Sequence, residues 1–251
     1  MVSKAKIKLI HSLERKKYRL SEGLFLAEGD KLVGDLLPYF RCRYLLAEAP
    51  WLAEHGDVVA QELQEAEGND LERASLLKSP QSVLALFEMR CREFEASLLD
   101  GQLTLALDGV QDPGNMGTII RLADWFGVRR VICSQASADI YSPKCVQATM
   151  GAIARVEVHY LDLDAVLQET EIPVIGTFMD GENIYGCDLP HEAILVMGNE
   201  GSGISSTIEA SVSNKIMIPS YPSDCVTSES LNVATATAIT LAEWRRRDLL
   251  R

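Results

Sequence analysis

The sequence predicts an α/β protein: a mostly parallel sheet with helices on both faces over residues 99–251, preceded by a small α/β domain over residues 1–98. Three observations carry this. Short apolar runs alternate with helix-patterned segments along the chain. From Leu103 the alternation becomes a regular β-α succession, the pattern of a sheet whose crossovers lie on its faces. Between the two parts the polar stretch Cys91–Gly101 interrupts the pattern and puts the boundary near residue 98.

In the first part, residues 4–19 read as a helix with Ile7, Leu9, Ile10 and Leu13 as its apolar positions. After a break at Ser21–Gly23 come a strand at Leu24–Ala27, a helix over 29–38 and a strand at Arg43–Ala47. A helix over 49–55, a short strand at Asp57–Ala60 and a helix over 61–66 follow. Gly68-Asn69-Asp70 is a breaker, 71–77 a further helix, and Val83–Glu88 the last strand. The segment holds no nucleophile–base pair and no glycine-rich phosphate loop, so it is expected to bind or position rather than to react.

In the second part Leu103–Leu107 is a buried-type strand and 108–116 a loop. The helix over 117–126 is closed by Gly127, a residue suited to the left-handed turn after a helix. A strand at Val128–Cys133, a helix over 143–154 and a strand near 154–158 come next. A helix over 162–169 and strands at 173–178 and 193–198 follow. A helix from about 204, a strand at 215–219 and a last helix close the chain.

The 251 residues are 47% apolar and 24% charged, as expected for a globular chain with a substantial core. No apolar run reaches the roughly 18–20 residues that span a bilayer. The basic N-terminus lacks the apolar core of a secretory signal, and a cytoplasmic protein is expected. The six cysteines are scattered and form no metal-ligand spacing with the four histidines, so free thiols and no metal are expected. The formal net charge of −12 argues against indiscriminate nucleic-acid binding. Yet Lys4, Lys6, Lys8, Arg15, Lys16, Lys17 and Arg19 crowd the N-terminus, and Arg245, Arg246, Arg247 and Arg251 the C-terminus. These fit phosphate contacts and equally a solvated basic helix.

Three loops, 108–116, 199–203 and 220–230, follow the carboxyl ends of strands, where open α/β sheets bind ligands. Asn115 lies in the first. Arg121 lies on the helix behind it, with a side chain that leans back over the strand ends and a planar fork suited to phosphate. Structural alternatives are a turn at Asn115 and an Arg121–Asp124 pair. The second loop, Gly198-Asn-Glu-Gly-Ser-Gly203, is neither a dinucleotide fingerprint nor a P-loop. Its glycines permit close backbone approach to a ligand, and Glu200 is either functional or a helix-start acid. Ser230 reads alternatively as the cap of the last helix. That helix carries Leu231, Ala234, Ala238 and Leu241 as an apolar stripe and is slim enough to pack against another helix.

Taken together the loops carry a resemblance. Asp112-Pro-Gly-Asn-Met-Gly-Thr-Ile-Ile-Arg121-Leu-Ala-Asp-Trp-Phe-Gly-Val128 resembles the first motif of SpoU/TrmH-type RNA 2′-O-ribose methyltransferases of the SPOUT superfamily. Val196-Met-Gly-Asn-Glu-Gly-Ser-Gly203 resembles their second, and Ile218-Pro219 with Ser230-Leu-Asn-Val233 their third. The resemblance covers 103–244. Phe25-Leu-Ala-Glu-Gly29 and Pro80-Gln-Ser-Val-Leu84 more loosely resemble the family's N-terminal, ribosomal-protein-like substrate RNA-binding domain. The segment between Ile218 and Leu231 is longer than the family's commonest form.

The resemblance implies S-adenosylmethionine as methyl donor, an RNA ribose 2′-hydroxyl as acceptor, a trefoil knot and a homodimer. By position it makes Asn115, Arg121, Glu200, Ser230 and Asn232 the reactive set, with Glu200 holding Arg121. Thr177, Gly198, Ile218 and Leu231 would hold the cofactor. The family's proposals give Arg121 the base role, although a guanidinium ordinarily stays protonated. Ribosomal RNA is the expected substrate. Transfer RNA, a non-catalytic ribosome-assembly factor and a nucleotide-dependent enzyme on an ordinary doubly wound fold are the alternatives.

Overall fold

In the computed structural model the described residues are 1–90, 92–222 and 230–250. The expected shape of the long third loop over 223–229, and the readings of Cys91, Cys225 and Arg251, lie outside them. The chain divides into two compact units, Met1–Cys91 with Asp139–Ala154, and Arg92–Ala138 with Arg155–Arg251.

The first unit is built on a four-stranded sheet of β1 (Leu24–Glu28), β2 (Cys42–Ala47), β3 (Leu63–Glu65) and β4 (Val83–Glu88), ordered β1-β4-β2-β3. β4 is antiparallel to β1 and β2, and β3 runs parallel to β2 along the edge. Alternation sorts the side chains. Leu24, Leu26, Leu84 and Leu86 pack with Ile10 and Leu13 behind α1 (Lys4–Ser12), and with Leu71 and Ala74 of α5 (Asp70–Ala74). Phe25 and Phe87 face the other way, where Phe25 meets Phe40 at 5.1 Å and Tyr141 at 4.9 Å.

Two sequence expectations fail here. The single helix over 4–19 is two helices, α1 and α2 (Lys16–Glu22), separated at 13–15. The break lets Arg19 turn inward, where it is buried, donates to the Leu13 and Glu14 carbonyls and pairs with Asp139 at 2.6 Å. The strand at 57–60 and helix at 61–66 are replaced by β3, half exposed and flanked by acids, as edge strands often are. α3 (Asp30–Leu36) and α4 (Ala49–Glu54) fall near their expected places. The helix expected over 143–154 is α7 (Pro143–Thr149) and a 3-10 turn at Ala152–Ala154, both within the first unit.

The second unit is a six-stranded, wholly parallel sheet. Its strands are β5 (Leu103–Leu107), β6 (Arg130–Ser134), β7 (Glu157–Leu161), β8 (Val174–Asn183), β9 (Ala193–Met197) and β10 (Asn214–Met217), ordered β10-β8-β9-β5-β6-β7. Ala106, Ile132, Ile194 and Val196 pack against α8 (Leu163–Glu169) and α9 (Ser206–Glu209). The alternate residues, Leu105, Leu107, Val131 and Leu195, turn to the opposite face and are also buried. α6 (Pro113–Trp125) and α10 (Val233–Asp248) pack on each other. α6 starts four residues earlier than expected because Asp112 caps it and Pro113 occupies its first turn.

The basic C-terminus is mostly tied down. Glu243 accepts from both Arg246 and Arg247, whose cations hold its carboxyl at about 2, and Arg247 also donates to the Ile184 and Cys187 carbonyls. Arg245 donates to the Phe126 carbonyl at 2.7 Å. No described helix is long and apolar enough to cross a membrane, and the described residues include no cluster able to hold a metal ion.

Candidate active site

The strand order reverses between β9 and β5: the chain moves outward from β5 through β6 to β7, then builds β8, β9 and β10 on the other side. Such a switch point opens a crevice at the carboxyl ends of the strands. Ile218 after β10, Thr177 in β8, Gly198 after β9 and the Asp108–Asp112 loop after β5 follow the same order along that edge.

Hydrogen bonds join the first and second loops. The Asp108 N–H donates to the Met197 carbonyl at 2.9 Å. Its carboxylate accepts from the Ser205 N–H at 2.8 Å. Asn199 donates from Nδ2 to the Gly109 carbonyl at 2.7 Å and accepts at Oδ1 from the Gly201 and Ser202 N–H groups at 2.8 and 3.1 Å. Ser134 accepts from the Gly109 N–H at 2.9 Å. Gly198 has no alternative: a Cβ there would lie 2.3 Å from the Gly203 carbonyl carbon and 2.4 Å from the Ile204 nitrogen. The second loop thus folds tightly on itself and is pinned to the first.

On this frame stands a directed chain of side chains. Glu200 accepts from Asn115 Nδ2 at 2.6 Å, and Asn115 Oδ1 accepts from Asn232 Nδ2 at 3.0 Å. Asn232 Oδ1 accepts from the Ala234 and Thr235 N–H groups at 3.0 and 3.2 Å, capping α10. Both amides are oriented by their ends. A carboxylate can only accept, so Asn115 must turn its NH₂ to Glu200; the helix N–H groups can only donate, so Asn232 must turn its oxygen to them. Three of the five expected reactive residues, one from each loop region, are therefore in direct contact.

The other two are not part of that chain. Arg121 is exposed on α6 and makes no hydrogen bond or ion pair to the described residues. Glu200 does not hold it: the carboxylate engages Asn115 instead. The alternative Arg121–Asp124 pair is absent too; Asp124 pairs with Arg155 at 2.7 Å. Ser230 is exposed, and the cap of α10 is Asn232 rather than Ser230. Of the expected cofactor residues, Thr177 is half-buried and donates weakly to the Val196 carbonyl at 3.4 Å, Ile218 is half-buried, and Leu231 is 47% exposed.

Asn199, Asp108 and Ser134 escaped the sequence reading. An Asn between glycines reads as a turn, and contacts of Asp108 with Ser205 or of Ser134 with Gly109 bridge distant segments without a local signature. Asp112-Pro113 did carry a legible signal, a helix cap followed by proline at the first helical position.

A model of the SpoU rRNA methylase family matches residues 102–242, and one of the MRM3-like substrate binding domain matches residues 4–85. The 23S rRNA (guanosine(2553)-2′-O)-methyltransferase RlmP of Bacillus subtilis is 28% identical over 96% of this chain and 96% of its own. A TrmH-family protein from Porphyromonas gingivalis is 45% identical and superposes with a TM-score of 0.89 over 98% of this chain and 99% of that one. The AdoMet-bound rRNA methyltransferase from Sinorhizobium meliloti is 29% identical, with a TM-score of 0.83 over 98% and 97% of the two chains.

Proposed function

Because the chain belongs to the SpoU rRNA methylase family, we propose that it transfers a methyl group from S-adenosylmethionine to a ribose 2′-hydroxyl of ribosomal RNA. The observation that carries this reading is the Glu200–Asn115–Asn232 chain, with Arg121 on the same helix as Asn115 and unpaired among the described residues. Ribosomal RNA is favoured over transfer RNA by the relatives matched along nearly their whole length.

The residues of the crevice suit this cofactor. Thr177, Gly198, Ile218 and Leu231 bring backbone groups, a hydroxyl and apolar surface but no cation. A nucleotide's phosphates would lack a counter-charge there, whereas a sulfonium carrying no phosphate needs none. When bound, S-adenosylmethionine supplies an electrophilic methyl group. The remaining work is positioning. Arg121, a fixed cation with a five-donor fork, holds an RNA phosphate and orients the ribose hydroxyl. Asn115 keeps Glu200 fixed and shares the restraint with Asn232, so that the first two loops and the start of α10 form one wall. Ser230, next to that wall, adds a hydroxyl for orienting the reacting groups.

The knot implied by the family resemblance and a homodimer are part of the proposal. Trp125 is 82% exposed at the end of α6, and Leu249 is 87% exposed just past α10. Arg245 joins those two helix ends, so the apolar residues share one end of the pair and offer a face to a second copy. A cytoplasmic location is supported by free, buried thiols at Cys42, Cys133 and Cys187.

The test is to incubate the protein with labelled S-adenosylmethionine and ribosomal or transfer RNA from source cells lacking this gene. Label mapped to a ribose 2′-oxygen of ribosomal RNA is expected. Label in transfer RNA alone overturns the substrate, and label in neither overturns the activity.

A further inference from the structure

We propose that Arg155 is a positioning residue for Arg121, which it keeps unpaired by occupying Asp124; this rests on the methyl-transfer reading above. Arg121 and Asp124 stand three residues apart on α6, neighbours on one helix face and of opposite charge. Helix spacing brings the two within pairing reach. Asp124 is instead held by Arg155, which precedes β7 and belongs to the same compact unit.

Its guanidinium grips both carboxylate oxygens of Asp124. Nε donates to Oδ1 at 2.9 Å and to Oδ2 at 3.1 Å, and the terminal nitrogen donates to Oδ2 at 2.7 Å. The fork engages both carboxylate oxygens at once, a match that a lysine ammonium could not make. Arg121 meanwhile has no partner among the described residues. A cation that must take up an RNA phosphate gains from that, since every intramolecular pair would first have to be broken.

Removing Arg155 releases Asp124 and makes it available to Arg121. Exposed ion pairs are weak, so Arg121 would still be free for part of the time, and the expected loss is about two- to six-fold. The experiment uses the full chain and compares Arg155→Ala, Asp124→Asn and the double variant in single-turnover methylation at saturating RNA and cofactor, with the RNA half-saturation concentration measured beside it. Arg155→Ala is expected to lose about two- to six-fold in the saturated rate constant. Asp124→Asn is expected to match the wild type, and the double variant to recover to it.

A double variant no better than Arg155→Ala overturns the proposal, because the bridge then serves stability alone. So does an Arg155→Ala effect confined to half-saturation, which would mark simple repulsion of RNA by the freed Asp124. If Arg155→Ala does not fold, Arg155→Lys, which keeps the charge but loses the fork, must show a loss that Asp124→Asn again repairs; a loss without repair overturns the proposal. A wild type that labels no ribose tells against the function itself, and is thereby distinguished from failure of this inference.

Discussion

Asn232 performs two tasks with one side chain, and substitutions separate them. Its oxygen caps α10 and its NH₂ holds Asn115. Asn232→Ala loses both, with a stability cost of about 1 kcal/mol for the cap. Asn232→Asp keeps the cap but sets a second acceptor against the Asn115 oxygen, which cannot turn away without facing Glu200. Thermal unfolding of Asn232→Asp should stay close to wild type while methyl transfer falls about ten-fold, the effect of roughly one misplaced hydrogen bond on a transition state. Equal activity in Asn232→Asp and wild type would show that the chain of amides has no part in the reaction. At this scale the sequence was informative about residue types and silent about partners. Asn115, Glu200 and Asn232 could be singled out from their loops. That Glu200 engages Asn115 instead of Arg121, and that Arg155 claims Asp124, depends on segments far apart in the chain.

Among the elements, α10 shows how a helix of small residues is secured. Its apolar stripe supplies modest burial, but Trp244 is buried and donates to the Pro190 carbonyl at 2.9 Å, and Glu243 binds two arginines near the C-terminal end. Those cations depress the Glu243 carboxyl to about 2, below its unfolded value of about 4.3. The sign follows from linkage: the carboxylate's contribution to stability is complete above the unfolded value and is lost as pH falls through the folded one. Glu243→Gln should therefore be less stable than wild type at pH 6, with a gap that narrows from pH 5 toward 2. A gap independent of pH would exclude the ionised carboxylate as its source. Elements were legible where a local pattern decides them. The apolar runs at Leu103–Leu107 and Val83–Glu88 became strands at those positions. β3 was not legible, because Leu63-Gln64-Glu65 has little strand propensity and is extended by pairing with β2.

For the whole molecule, the composition suggested a basic N-terminal face, and the structure divides those cations by task. Lys6 pairs with Glu62 at 2.6 Å and Arg19 is buried against Asp139, whereas Lys4, Lys8, Arg15 and Lys17 are exposed. Arg19 ties residues 139–154 to residues 1–91 within one unit, an excursion of the chain that no linear pattern reveals. Arg19→Ala should cost about 3–5 kcal/mol by stranding Asp139, and hydrogen exchange should rise in both β1 and α7. Faster exchange in β1 alone would show that the two segments do not stand or fall together. The proposed reaction joins the crevice where β9 and β5 diverge to Arg121, a cation without a partner among the described residues. Its most direct test is Arg121→Ala, measured for S-adenosylmethionine affinity by calorimetry and for ribose methylation of ribosomal RNA by label mapping. Cofactor affinity close to wild type with transfer lost is the expected result; methylation undiminished, or cofactor binding lost along with it, would contradict the role given to Arg121.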